Sequence, residues 1–151
     1  MKIIPQLLLC LLACFGSSCH LLYKTIKAEW EEAEVECAST KAMFEVSALA
    51  LGKAGFPVGI GANPAKSVLV SGWRSSESPF KGRGYRERAN VEFESLKPGW
   101  FLLRVRVERE TNESFRPLDK QYAKWEAAPD SPESARRVLG YAQAWLRAGA
   151  E

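Results

Sequence analysis

Two segments joined by a turn decide the fold of this chain: YRERANVEFES (Tyr85–Ser95) and WFLLRVRVERE (Trp100–Glu110). In both segments apolar and charged residues alternate, which is typical of a strand with one face in the core and the other in water. Pro98-Gly99 between them is a strong turn signal. The sequence therefore predicts an antiparallel hairpin here.

The charges of the two strands predict the register of this hairpin. Pairing Phe93 with Leu103 leaves residues 97–99 as the loop and stacks apolar residues on one face. Matched charges placed opposite each other add about 0.2–1 kcal/mol per pair, and like charges are unfavourable there. A slip that joins Glu94 to Arg104 stays open as an alternative. In the preferred register the opposed charges are Glu87–Arg109, Glu92–Arg104, Arg88–Glu108 and Arg86–Glu110.

A strand and a helix are predicted before the hairpin. In EAEVECAS (32–39) small and apolar residues alternate with glutamates, which predicts a half-buried strand with a solvated acidic face. Thr40 to Ala54 then shows helical spacing, with Ser39 as a good N-cap and Gly55 as the left-handed residue after the helix. Residues 56–58 are expected to start a return strand, and residues 59–66 to form a turn-rich connection.

The remaining elements complete the predicted architecture. Residues 67–75 (SVLVSGWRS) predict an interior strand, and residues 118–127 a short helix or an ordered loop. Ser131 as N-cap and Pro132 at the first helical position begin a final helix that Gly149 can end. The order β-α-β-β-β-β-α predicts an α+β two-layer sandwich, with an antiparallel sheet of about four to five strands and two helices on one face. The five tryptophans are expected mostly in the core or at sheet edges.

The N-terminal stretch has the features of an exported lipoprotein. A basic start, an apolar run of about 7–15 residues and a small-residue exit are typical of a secretory signal. Gly16-Ser17-Ser18-Cys19 resembles the lipobox of bacterial lipoproteins, in which the cysteine receives a lipid and becomes the new N-terminus. The resemblance implies a signal peptide over residues 1–18, a lipidated tether over 19–28 and one domain over 29–151. An uncleaved anchor and ordinary secretion are the alternatives.

This interpretation also accounts for the cysteines. Three of the four, Cys10, Cys14 and Cys19, lie in the N-terminal stretch. If Cys19 carries lipid, Cys37 has no partner for a disulfide and is expected to be a small buried hydrophobe. A structural metal site needs several such ligands within the fold, so no metal site is expected.

The residues after the signal contain no recognisable catalytic set. His20 is the only histidine and lies in the predicted tether, and no GxSxG or HExxH pattern occurs. Glu108 and Glu110 are more simply explained as cross-strand partners of arginine. We therefore expect a non-catalytic protein with no cofactor. The 21 basic and 18 acidic residues do not call for a nucleic-acid partner.

The lipobox, the short tether and the strand leading into AMFEVSALALGKAGF (42–56) resemble envelope-assembly lipoproteins of bacteria. The helix-grip modules of BamC and LptE are the examples that this pattern is similar to. The resemblance implies a lipid-anchored protein on the periplasmic face of the outer membrane. It implies a non-catalytic role as a scaffold, or as a binder of a protein or a glycolipid, and it assigns no binding residue.

A basic segment, KGRGYRER (81–88), suggests a second class of function. Arginine can grip a phosphate with two hydrogen bonds, and envelope lipids carry phosphates. Lys81, Arg83 and Tyr85 are therefore candidate contacts for a partner or for an anionic ligand such as lipopolysaccharide. The alternative is a solvated loop whose Arg86 and Arg88 are already held by glutamates of the neighbouring strand.

Overall fold

A computed structural model describes residues 26–59, 61–76, 84–114 and 122–149 of the chain. These residues form an α+β fold in which two helices pack on one face of an antiparallel sheet, as predicted. The described helices are α1 (Thr40–Lys53) and α2 (Pro132–Ala148). The described strands are β1 (Glu31–Glu36), β2 (Gly61–Asn63), β3 (Val68–Val70), β4 (Arg74–Ser76), β5 (Tyr85–Lys97), β6 (Trp100–Asn112) and β7 (Trp125–Ala128).

The long hairpin of β5 and β6 is the centre of the sheet, and its predicted register is confirmed. Phe93 pairs with Leu103 and Glu92 with Arg104. A β-bulge between Ser95 and Lys97 shortens the loop, so that Lys97 pairs with Trp100. The charge of Arg104 nevertheless reaches diagonally to Glu94, at 3.6 Å. The charges are therefore compatible with the observed register, although Arg104 forms its ion pair with Glu94 and not with Glu92, which lies directly opposite.

The strands follow the order β1-β6-β5-β3-β2, with β7 also paired to β6 and β4 also paired to β5. The sheet has seven strands within the described ranges, more than the four to five predicted. The additional strands β4 and β7 are short segments that pair with the outer sides of the two long strands. Because β5 and β6 each have 13 residues, each offers room for two neighbours on its outer side.

Strand β1 and helix α1 form as their sequences predict. Ala33, Val35 and Cys37 face the core side, and Cys37 is a buried free thiol. The Ser39 side chain caps α1 by accepting a hydrogen bond from the Ala42 N–H, 3.1 Å away. After the helix, Gly55 adopts the left-handed conformation with φ 82°.

Three local predictions were wrong. Residues 56–58 form no strand, because Phe56 turns into the core and the Pro57 carbonyl accepts a hydrogen bond from Gly72. Strand β2 forms instead within the connection expected to be only turns. The segment 118–127, expected as a helix or loop, contributes β7 through its described end.

The predicted strand over residues 67–75 breaks into two. Val70 pairs with Asn90 whereas Arg74 pairs with Glu87, so four steps along one strand match three along the other. This β-bulge reverses which residues face the core. It places Trp73 on one side of the sheet and Arg74 on the other.

Helix α2 begins at Pro132 as predicted, but its cap differs. The Ser131 side chain makes no capping hydrogen bond, because its hydroxyl accepts one from Arg109 at 2.9 Å. Tertiary contact therefore replaces the local cap.

The core lies between the helices and the inward face of the sheet. The fully buried side chains of β5 and β6 alternate with charged ones, as the hairpin pattern predicts. The central members of this core are Met43, Leu51, Val91, Leu103, Val105, Val107 and Val138. None of the five tryptophans is in the buried class, so of the two predicted locations, core or sheet edge, the core is not used, whereas Trp125 begins the short strand β7 at the flank of the sheet.

Two glycines allow a stability test in which replacement by alanine is expected to have opposite effects at the two positions. Gly99 has φ 78°, a conformation that costs an alanine about 1–2 kcal/mol. Gly140 lies on the exposed side of α2, and a Cβ there would meet nothing within 4 Å. We expect Gly99→Ala to destabilise the protein by about 1 kcal/mol and Gly140→Ala to stabilise it by about 0.5–1 kcal/mol. Denaturant unfolding measures both, and a stabilised Gly99→Ala variant would contradict the turn geometry.

Candidate functional site

The side of the sheet opposite the helices, here called the open face, is covered by no described element. It carries the even-numbered residues of β5 and β6, which include the opposed charged pairs Arg86–Glu110, Arg88–Glu108 and Glu92–Arg104. Antiparallel sheets often leave one face in water, and such a face is then available to a partner. This face combines charged and aromatic side chains, and it is the candidate functional site.

At one end of the open face a cation lies between two indole rings. The guanidinium carbon of Arg86 is 4.4 Å from the ring centre of Trp73 and 4.8 Å from that of Trp125. We call this group the Trp–Arg stack. Trp73 arrives through the bulge before β4 and Trp125 opens β7, so three separate parts of the chain build it. Cation–π contacts of this kind contribute roughly 0.5–2 kcal/mol and fix the orientation of the rings.

Carboxylates hold the arginines of the open face in place. Arg86 Nε donates to Glu110 at 2.6 Å, and Arg88 donates to Glu108 through Nε at 3.1 Å and through a terminal nitrogen at 2.6 Å. These pairs were predicted from the hairpin register, and the geometry confirms them. Arg88 also lies over the Trp73 ring, at 4.8 Å. The result is a preordered surface of half-buried arginine and tryptophan side chains.

Arg106 on the same face is held by Asp130, which lies just before α2. Arg106 Nε donates to the Asp130 carboxylate at 2.6 Å, and the Glu29 N–H donates to the same oxygen at 2.9 Å. The hydrogen bond with Asp130 raises the pKa of Arg106. Asp130 thereby joins the start of β1, the middle of β6 and the start of α2.

Two donor atoms of the open face have no acceptor among the described residues. They are Asn90 Nδ2 and the Arg104 Nε, both screened from water by their neighbours. A screened donor without an acceptor costs about 1–3 kcal/mol.

On the helix side of the same strand lies a separate charged cluster around Glu87, which is 1% exposed. Its carboxylate accepts from Arg109 at 2.6 Å, from Arg74 at 2.5 Å and from the Ser134 hydroxyl at 3.1 Å. Burial alone would raise the pKa of Glu87, but the hydrogen bonds from Arg109 and Arg74 outweigh it and hold that pKa below its ordinary value. All of its oxygens are occupied, so the cluster fits a structural role.

Two cavities lie at the opposite end of the molecule, near the β5–β6 turn. A cavity of about 180 Å³ is lined by Glu34, Val35, Glu36, Trp100, Gln143, Leu146 and Arg147. A larger one of about 430 Å³ is lined by Glu36, Cys37, Ala38, Ala42, Val46, Gly99, Trp145, Leu146 and Gly149. Both lie beside the end of β1, where it meets α2.

Of the four residues predicted to form functional sites, Cys19, Lys81, Arg83 and Tyr85, the structure describes only Tyr85. It begins β5, is 37% exposed, and lies under the guanidinium of Arg109 at 4.8 Å. Cys19, Lys81 and Arg83 lie outside the described residues. Sequence reasoning missed Trp73, Trp125, Arg74 and Asp130. The positions of these residues depend on the bulge and on β7, and no local pattern marked either.

Two further findings concern the described part of the chain. Its residues contain no group of three or more His, Cys, Asp or Glu side chains that could hold a metal ion. None of its helices combines the length and the apolar composition needed to cross a membrane.

The fold defines this part of the chain as an α+β two-layer sandwich. No protein-family model matches the sequence, and no curated protein matches it. Among solved structures, the chain is similar to a DUF4468 family protein from Bacteroides ovatus. The two share 12% identity over 80% of this chain and 79% of that chain, with a TM-score of 0.31. At that score the similarity carries no inference about fold or function.

Proposed function

We propose that this protein is a membrane-anchored bacterial lipoprotein that acts as a non-catalytic interaction module in the cell envelope. The observation that carries the interaction role is the Trp–Arg stack on the open face. Tryptophan and arginine are the residue types most enriched where proteins bind each other tightly. The membrane anchor rests on the N-terminal stretch that ends at Cys19.

The fixed positions of the side chains on the open face support this role. Each ring of the stack is held by a cation, and each cation by a carboxylate, so little side-chain freedom remains to be lost on binding. Immobilising a flexible side chain at an interface costs about 0.5–1.5 kcal/mol.

The same face argues against an anionic ligand as its main target. A phosphate needs an arginine with a free fork of donors. The four arginines of the open face are instead each bound to a carboxylate, in the pairs Arg86–Glu110, Arg88–Glu108, Arg104–Glu94 and Arg106–Asp130. Binding of an anionic lipid through Lys81 and Arg83 is the alternative that the experiment below distinguishes.

The test is site-specific photo-crosslinking in the cells that produce the protein. A photoreactive amino acid is placed at Ser75, which is exposed and pairs with Arg86 on the open face. We expect one protein adduct in the membrane fraction. The Cys19→Ala variant should release the protein from the membrane and lose the adduct.

The matched control carries the same photoreactive group at Glu45, on the outer side of α1. We expect no specific adduct there. Equal adducts at Ser75 and Glu45 would contradict a docking role for the open face, and an adduct with lipid alone would favour the anionic ligand. Membrane retention of Cys19→Ala with an intact N-terminus would contradict the lipid anchor.

A further inference from the structure

Strand β1 forms one edge of the sheet, and its backbone shows which groups are free. The Cys37 N–H donates to the Gly99 carbonyl at 3.0 Å, in register with the β1–β6 pairing. Hydrogen-bonded pairs alternate along an antiparallel ladder, so the odd-numbered residues of β1 bond to β6. The N–H and C=O groups of Glu32, Glu34 and Glu36 therefore point outward, and no described strand pairs with them.

The side chains of these outward residues form an acidic row. Glu32, Glu34 and Glu36 are exposed, lie on the open face, and form no ion pair within the part of the chain that the structure describes. Successive members are about 6.6 Å apart along the strand. Such charges prevent non-specific pairing at a sheet edge, and they also select the charge of any strand that does pair.

The cavity of about 180 Å³ lies directly beside this edge. Its lining comes from the end of β1, from Trp100 at the start of β6, and from Gln143, Leu146 and Arg147 in the last turns of α2. An edge strand next to a helix forms a groove in which an extended peptide can add to the sheet. Backbone hydrogen bonds then supply affinity, and pockets for alternate side chains supply specificity.

We infer that the β1 edge binds an extended segment of a partner protein that carries Lys or Arg at every second position. The basic side chains lie on the open face beside the glutamate row. The alternate side chains point toward α2, and one apolar side chain fills the cavity. This inference rests on the proposed function in that the occupant is a protein.

A second copy of the chain fits this edge poorly. Antiparallel pairing of two β1 strands would bring two rows of glutamates side by side, and like charges in that position are destabilising. An acidic segment is disfavoured for the same reason. A basic strand instead neutralises each glutamate, which is why charge complementarity selects it.

The test measures binding of a synthetic peptide to the full chain in detergent micelles. The probe is a capped eight-residue peptide of alternating Lys and Val, and fluorescence anisotropy measures its binding. Its controls are a peptide of the same composition with the lysines in one block, and an alternating Glu and Val peptide. We expect the alternating Lys peptide to bind at least tenfold more tightly than either control, and salt to weaken its binding.

Three variants at Glu34, with one control at Glu45, separate charge from backbone pairing. Glu34→Lys is expected to weaken binding at least tenfold, whereas Glu45→Lys, the same change on the outer side of α1, should leave it unchanged. Glu34→Pro removes an outward N–H without breaking a bond to β6, so it should also weaken binding while the melting temperature stays similar. Glu34→Gln keeps the N–H and should lie between the wild type and Glu34→Lys.

Hydrogen exchange gives a readout that needs no variant. The outward amides of Glu32, Glu34 and Glu36 should exchange quickly in the free protein and become protected when the peptide binds. Equal binding of the block peptide, or amides that stay unprotected, would overturn the inference. Protection that grows with protein concentration without peptide would point to a second copy and overturn it as well.

The result of the peptide-binding test can be distinguished from the result of the crosslinking test of the proposed function. A specific protein adduct at Ser75 without peptide binding would leave the interaction role standing and remove the β1 edge as its site. Peptide binding without any adduct would support the edge and remove the open face as the docking surface.

Discussion

Replacing Glu87 with alanine is expected to lower the free energy of unfolding by about 3 kcal/mol. The carboxylate is 1% exposed and is shared by Arg109 and Arg74, so its removal leaves two guanidinium groups without their anion. The side chains of these arginines are 36% and 27% exposed, and their partial hydration places the loss at the low end of the range for broken buried pairs. Denaturant unfolding of the purified protein measures the change.

Glu133→Ala is the matched control for this experiment. Glu133 lies in the first turn of α2, but its side chain is 83% exposed and pairs only with Arg137 in the described structure. We expect a loss below about 1 kcal/mol, as for other exposed pairs and helix-end charges. A Glu87→Ala loss no larger than that of Glu133→Ala would contradict the structural role of the cluster.

The pH dependence of the same cluster has a definite sign. The pKa of Glu87 in the folded protein lies below its ordinary value of 4.5, so the unfolded chain takes up the proton first as the pH falls. The stabilisation is therefore complete above pH 4.5 and is lost as the pH falls through the lowered pKa. The stability difference between the wild type and Glu87→Gln should narrow on acidification, and a difference that widened would contradict this sign.

Asp130→Ala is expected to lower the free energy of unfolding by about 2–3 kcal/mol. Its side chain is 3% exposed and holds both Arg106 and the backbone of Glu29. The next residue, Ser131, donates its N–H to the Val107 carbonyl at 2.8 Å, between the parts of β6 that pair with β1 and β7. Loss of Asp130 should therefore loosen the start of β1, which hydrogen exchange at Glu29 and denaturant unfolding together measure.

Asp130→Asn separates charge from hydrogen bonding at this junction. The amide oxygen can still accept from Glu29, but the ion pair with Arg106 is lost, so the effect should be smaller than that of alanine. Unchanged exchange at Glu29 in Asp130→Ala would show that the junction does not hold β1.

The hairpin could be predicted in detail because its information is local. Apolar residues alternate over both strands, and a shift of one residue would move the whole apolar set to the wrong face. Opposed charges then distinguish among the registers that remain, and Pro98-Gly99 marks the turn. The same local logic predicted α1 with its Ser39 cap and the burial of Cys37.

The candidate site could be predicted only in part. The pairs Arg86–Glu110 and Arg88–Glu108 follow from the hairpin register alone. The two tryptophans that enclose Arg86 could not be found in this way. Trp73 reaches the open face only because a bulge inserts one residue before β4, and Trp125 only because β7 pairs with the far end of β6.

By itself the sequence determined the fold class, the central hairpin and its register, since these depend on periodicity and on charges in neighbouring strands. Only the tertiary structure decided how the buried charges are satisfied and which residues share the open face. Arg74 meets Glu87 across 13 positions, Arg106 meets Asp130 across 24, and Glu29 meets Asp130 across 101. A buried charge is stable only with a partner, and the partner here comes from whichever distant segment the packing brings close.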